Sequence, residues 1–154
     1  MIEIRKATGK DIKPIGQLFR DTIISINSKH YSEAQVKAWA SGYNDWAKWE
    51  RKVADQYFLV ATEVSSICGF ASLTPEGYID YMFVHKAHQQ KGIAKKLLAE
   101  IFEKAGEWQL KRLTADVSIT ALHFFKSKGF AVMRVQKVFY RKVYFTNYHV
   151  ELFL

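Results

Sequence analysis

Val84-His85-Lys86-Ala87-His88-Gln89-Gln90-Lys91-Gly92-Ile93-Ala94-Lys95-Lys96-Leu97-Leu98 carries the chain from an apolar strand through a polar loop and into a helix. The strand is the run 79–84. Beyond Gly92, residues Ile93, Leu97, Leu98, Ile101, Phe102 and Ala105 recur at helical spacing on one face. A glycine turn at a helix N-terminus leaves backbone N–H groups unpaired at the positive end of the helix dipole. That arrangement binds anions, phosphates above all. A phosphate-bearing ligand is therefore the first expectation.

Outward from this loop the periodicity alternates between strand and helix. Residues 2–5 alternate as an edge strand. Thr8 and Asp11 stand at capping-box spacing before a helix carrying Ile12, Ile15, Leu18, Phe19, Ile23 and Ile26. Ser32 and Gln35 open a second helix with Val36, Trp39, Ala40 and Tyr43, and Trp46, Trp49 and Val53 suggest a short third. Residues 57–64 and 68–73 read as a hairpin joined at Ser65-Ser66, followed by a turn at Thr74-Pro75-Glu76-Gly77 and a strand over 78–84. The helix after Gly92 spans about 93–106, and 113–117 is a short strand. Ser118 caps another helix closed by Gly129, and 130–139 with 142–154 form a final hairpin. The expected class is α+β (α/β by looser naming): a mixed, mostly antiparallel sheet flanked by helices, with one β-α-β crossover.

Composition sets the outer bounds. At 154 residues a single domain over 1–154 is expected, with a core burying about 70% of the unfolded surface. No apolar run approaches the roughly 20 residues of a membrane span. Residues 1–5 show no signal-peptide core, so the expected location is cytoplasmic, away from the membrane. The single Cys68 excludes an internal disulfide and sits in an apolar run, as a small buried residue does. The net charge of +8 is spread over separated lysines rather than a basic run, which suits an anionic small molecule better than nucleic acid. No His/Asp/Glu group has metal-ligand spacing, so no metal is expected.

Two phosphate loops are set aside. A P-loop needs a second glycine followed by Lys-Ser/Thr, and a dinucleotide fingerprint needs clustered glycines in a repeated β-α-β unit. Gln89-Gln90-Lys91-Gly92-Ile93-Ala94 instead follows the pattern Gln/Arg-x-x-Gly-x-Gly/Ala. Ser118-Ile119-Thr120-Ala121-Leu122-His123-Phe124-Phe125-Lys126-Ser127-Lys128-Gly129-Phe130 follows Asn/Ser-x-x-Ala-x-x-Phe-Tyr-x-x-x-Gly-Phe. With this order of elements, the chain resembles the GNAT superfamily of N-acetyltransferases over nearly its whole length. His30-Tyr31-Ser32, Ala38-Trp39-Ala40, Tyr78-Ile79-Asp80 and Phe145-Thr146-Asn147-Tyr148 resemble the YafP-type branch of that superfamily.

The resemblance implies acetyl-CoA as co-substrate and a small-molecule or peptide amine as acceptor, handled by a monomer or homodimer. It assigns the CoA pyrophosphate to the backbone of Gln89, Gln90, Lys91, Gly92, Ile93 and Ala94, with Lys95 adding charge. It assigns the pantetheine arm to Met82, Phe83 and Val84, and further cofactor contact to Ser118 and Phe125. The family commonly places a tyrosine acid where this chain has Phe125, which has no proton to give. The acid then lies elsewhere (Tyr31, Tyr78, Tyr81 or Tyr148), is dispensed with, or is missing because the protein is a non-catalytic CoA-binding regulatory module. For the base, Asp80 stands out as a carboxylate in an apolar strand, placed by alternation on one face with Tyr78, Met82 and Val84. His30, between the first two helices, is the second candidate. The catalytic expectation is thus Asp80, His30 and Tyr148.

Overall fold

The computed structural model describes residues 1–154. The strands are β1 (Ile2–Lys6), β2 (Tyr57–Glu63), β3 (Ser66–Leu73), β4 (Ile79–Val84), β5 (Arg112–Val117), β6 (Ala131–Tyr140) and β7 (Val143–Phe153). The helices are α1 (Ile12–Ser25), α2 (Glu33–Ala40), α3 (Trp46–Asp55), α4 (Ile93–Glu107) and α5 (Ile119–Ser127). No helix is long and apolar enough to cross a membrane.

Instead of one continuous sheet, the strands form two. The orders are β1-β2-β3-β4 and β5-β7-β6, and every paired strand is antiparallel. The β4-α4-β5 crossover brings β4 and β5 side by side, but they touch only through the parallel bridge Tyr78↔Thr114. Gly77 makes that approach feasible. Its φ is +96°, and a Cβ there would lie 2.7 Å from the Arg112 carbonyl oxygen. Past the bridge the strands diverge and the sheet opens.

Two cores flank the sheet. Under α4 and α5, Leu97, Leu98, Ile101, Phe125, Phe130 and Val150 pack with the inner residues of β2, β3 and β5. On the other face, Ile15, Phe19 and Ile23 of α1 and Trp49 of α3 pack on Phe58, Val60 and Phe70. Burying a large apolar side chain contributes roughly 1.5–3 kcal/mol, so these two layers hold α1–α3 and α4 on opposite faces.

Local chemistry explains the connections. The first hairpin turns at Val64 and Ser65, both at positive φ, one residue earlier than the sequence suggested. Arg141 and Lys142, at φ 48° and 68°, turn the last hairpin in the same way. Ser32 Oγ accepts from Gln35 N–H at 3.1 Å, and Gln35 Oε1 from Ser32 N–H at 2.8 Å, closing the expected capping box. Asp11 accepts from Thr8 N–H at 2.8 Å and from both guanidinium ends of Arg5, at 2.8 and 2.9 Å. Cys68 is buried, and burial pushes its thiol up.

Candidate active site

The opening between β4 and β5 continues into a cavity of about 1130 Å³. Its floor is the splayed sheet. At one end lie the 89–95 loop and α5; at the other lie α1, α3 and the β6–β7 hairpin.

The loop is held by its own residues. Gln89 Nε2 donates to the Val84 carbonyl at 2.6 Å, and His85 Nδ1 accepts from Ala87 N–H at 3.0 Å. Gln90 sits at φ 60° and Gly92 at φ 77°, which reverses the chain and starts α4. No side chain caps α4, so its first amides have no intrahelical or side-chain partner. Gln89, Gln90, Gly92, Ile93, Ala94 and Lys95 line the cavity. Lys91 does not: it is exposed and directed off the wall, because the turn at Gln90 and Gly92 rotates it outward.

The edge of β4 supplies the second element. His85 N–H bonds the Cys68 carbonyl on the β3 side. Successive strand residues alternate in direction, so the amides of Met82 and Val84 face the gap. Both residues and Phe83 line the cavity. A β-bulge opposite Ser72 and Leu73 interrupts the alternation at Asp80. Asp80 therefore does not share a face with Met82 and Val84, as strict alternation had placed it. It turns to α3, where its Oδ2 accepts from Lys52 Nζ at 2.8 Å and from Gln56 Nε2 at 2.7 Å.

α5 forms the facing wall. Ser118 Oγ caps it, accepting from Ala121 N–H at 3.1 Å, and the Tyr31 hydroxyl accepts from Ile119 N–H at 2.9 Å. Ser118, Ala121 and Phe124 border the cavity. Phe125 also reaches the wall but is 2% exposed and packs edge-on against Phe130 at 5.2 Å. Of the two phenylalanines, it is Phe125 that belongs to the core.

Two proposed catalytic residues lie off the cavity. His30 is exposed and its Nδ1 sits 2.9 Å from Thr120 Oγ1, fastening the α1–α2 connection to α5. Tyr148 packs against the main core from the middle of β7, between Val117 and Val135. Strand pairing points it into the layer beneath the sheet, which the residue's type could not reveal.

The structure also brings together residues outside the catalytic expectation of Asp80, His30 and Tyr148. Asp116 accepts from the Tyr78 hydroxyl at 2.9 Å and from Gln136 Nε2 at 2.9 Å, and it lies 2.8 Å from His149 Nδ1. Burial pushes the Asp116 carboxyl up, but the hydrogen bonds from His149, Tyr78 and Gln136 outweigh it and hold it below the usual range. Burial, and then Asp116, push the Tyr78 hydroxyl far above its ordinary value, so it stays protonated. Lys48 and Lys52 from α3 also line the cavity. Their i, i+4 spacing was visible in the sequence, but α3 had to dock on β4 to give it meaning.

The description "acetyltransferase (GNAT) domain" matches residues 27–152. The chain belongs to the GNAT family of acetyltransferases. The uncharacterized N-acetyltransferase YafP of Escherichia coli strain K12 is 34% identical over 150 residues, covering 97% of this chain and 95% of that protein. A GCN5-related N-acetyltransferase from Rhodopseudomonas palustris superposes with a TM-score of 0.95 at 28% identity, over 99% of this chain and 95% of the other. The PaiA N-acetyltransferase of Thermoplasma acidophilum, solved in complex with coenzyme A, shares the fold at a TM-score of 0.82 and 20% identity, over 100% and 99% of the two chains. This GNAT protein is thus an acyltransferase.

Proposed function

We propose that this protein is an acetyl-CoA-dependent N-acetyltransferase that moves the acetyl group directly to a primary amine in a ternary complex, in the cytoplasm. One observation carries the reading: a single cavity runs from the unpaired α4 amides, past the open edge of β4, to Asp80 and α3. Its volume of about 1130 Å³ exceeds the roughly 300–1,000 Å³ usual for one ligand, leaving room for two substrates. The fit to CoA is chemical. The amides of the loop and first turn of α4 suit a pyrophosphate, and those of Met82 and Val84 suit the amide groups of pantetheine.

The absence of a thiol from the lining supports direct transfer. Cys68, the one thiol, is fully buried outside the cavity. The amine nitrogen attacks the thioester carbonyl, an N–C bond forms, and the C–S bond breaks. The amine proton passes to Asp80 and CoA leaves as thiolate. A thiol of pKa about 8.5 is a tolerable leaving group without full protonation, so Phe125 is compatible with turnover. Tyr78 on the wall is held protonated beside Asp116, to which its hydroxyl donates.

Acetyl-CoA is expected to raise the melting temperature, and amine acceptors to release CoA thiol. No shift at millimolar acetyl-CoA refutes the reading. The apolar position of Phe125 favours one rival, a CoA-binding regulatory module. A shift with no thiol release across a broad amine panel would support that rival instead.

A further inference from the structure

The acceptor end of the cavity carries an unmatched cation. Lys48 is half-buried on the cavity wall, and its ammonium makes no hydrogen bond and no ion pair within 4.0 Å. It rests over the Trp49 ring at 4.6 Å and the Phe19 ring at 5.6 Å. Burial pushes it below the ordinary lysine value, and the nearby Lys52 and Arg141 act in the same direction against Asp45 and Asp80. Asp45 offsets part of this charge but forms no ion pair with it. Lys52 is committed to Asp80 at 2.8 Å, and Arg141 is tied to Ser41 Oγ at 2.8 Å. A desolvated, unpaired ammonium is costly, and an anion delivered by a ligand would relieve that cost.

One turn away the polarity is reversed. Asp80 has a side chain 17% exposed, and both its hydrogen bonds fall on Oδ2. Oδ1 keeps its lone pairs free. Lys52 anchors Asp80 and stands four residues after Lys48, so both sites lie along the same side of α3.

We infer that the acceptor is a small zwitterion of the amino-acid type, with its amine on Asp80 Oδ1 and its carboxylate on Lys48. The inference rests on the transferase reading above and names its substrate class. A polyamine or aminoglycoside would bring further cations against the Lys48 ammonium. The remaining wall is aromatic: Trp39 lies edge-on to Phe83 at 6.4 Å and to Phe145 at 6.2 Å, which suits an apolar side chain. One lysine without an arginine fork matches a monoanionic carboxylate better than a phosphate.

The test measures CoA release with apolar L-amino acids, their C-terminal amides, the decarboxylated amines and O-phosphoethanolamine. The acetyl-CoA thermal shift is recorded first for every protein. The free acids are expected to have a kcat/KM at least tenfold above their amides and amines. Lys48→Met should collapse that ratio towards one through KM, and Lys48→Gln provides the same reading if the methionine variant folds poorly. Amides or amines that match the acids overturn the inference, as does a preference that survives in both variants, or phosphoethanolamine as the better acceptor. A normal shift with no acid preference removes this inference alone. Absence of any acetyl-CoA shift removes the transferase reading and this inference with it.

Discussion

Replacing Gly92 separates the backbone role of the loop from its ligand role. Gly92 stands at φ 77°, ψ 14°, and a Cβ there would meet nothing within 4 Å. The cost of Gly92→Ala in the free protein is therefore the left-handed backbone alone, about 1–2 kcal/mol. For a domain of this size, each kcal/mol moves the melting temperature by about 2–4 °C, so a loss of about 2–8 °C is expected. Gly92→Glu should cost the same without ligand, since its side chain extends into open space. Acetyl-CoA at a hundredfold over Kd adds about 2.7 kcal/mol to the wild type, a rise of about 5–11 °C. Gly92→Ala should keep part of that rise. Gly92→Glu should lose it entirely, because a carboxylate side chain at this turn repels the pyrophosphate and fills its approach. Differential scanning fluorimetry with and without acetyl-CoA reads all of these shifts. An undiminished shift in Gly92→Glu would refute the assignment of the pyrophosphate to this loop. A ligand-free loss well beyond 8 °C would refute the view that Gly92 is there for backbone conformation alone.

Two further outcomes follow from the ion pairs. Asp80→Asn should lower kcat by about 10²-fold or more while leaving the acetyl-CoA thermal shift in place, as loss of a general base does; unchanged turnover in a stopped-flow thiol assay would remove Asp80 from the reaction. Asp11 is held below its ordinary carboxylate value of 3.8, first by the Arg5 hydrogen bonds, with Thr8 assisting. Its depressed folded-state value means that its stabilisation is complete above about pH 4 and fades as pH falls through the lower, folded value. Asp11→Asn should flatten the stability–pH curve below pH 4, measured by urea unfolding; an unaltered slope would show that another carboxylate dominates there.

Much of the fold was legible because local rules and tertiary needs agreed. The Ser32–Gln35 capping box and the Ser118 cap satisfy orphan backbone groups with partners three residues away, and the turn into α4 at Gly92 is set by one left-handed residue. The apolar stripe Ile93, Leu97, Leu98 and Ile101 is buried as its period required. The loop-and-helix end of the cavity was legible for the same reason, since its ligand groups are backbone amides whose position follows from the turn. The acceptor end was less so. Asp80 was picked out for its chemistry but placed on the wrong face, because a bulge is set by pairing with Ser72 and Leu73, 7 to 8 residues back in the chain. His30 and Tyr148 had suitable side chains, and only packing sends them to α5 and the core.

The sequence by itself determined the order of strands and helices, the glycine turn with its unpaired amides, and the family, since each is written in local periods and short motifs. Tertiary structure alone decided that the sheet parts after Tyr78↔Thr114, that Asp116 gathers Tyr78, Gln136 and His149, and that Lys48 is left without a counter-ion beside Asp80. Those contacts join residues from about 20 to 40 positions apart, and no periodicity carries information over that distance. A charge is matched or unmatched only once the chain has closed around it.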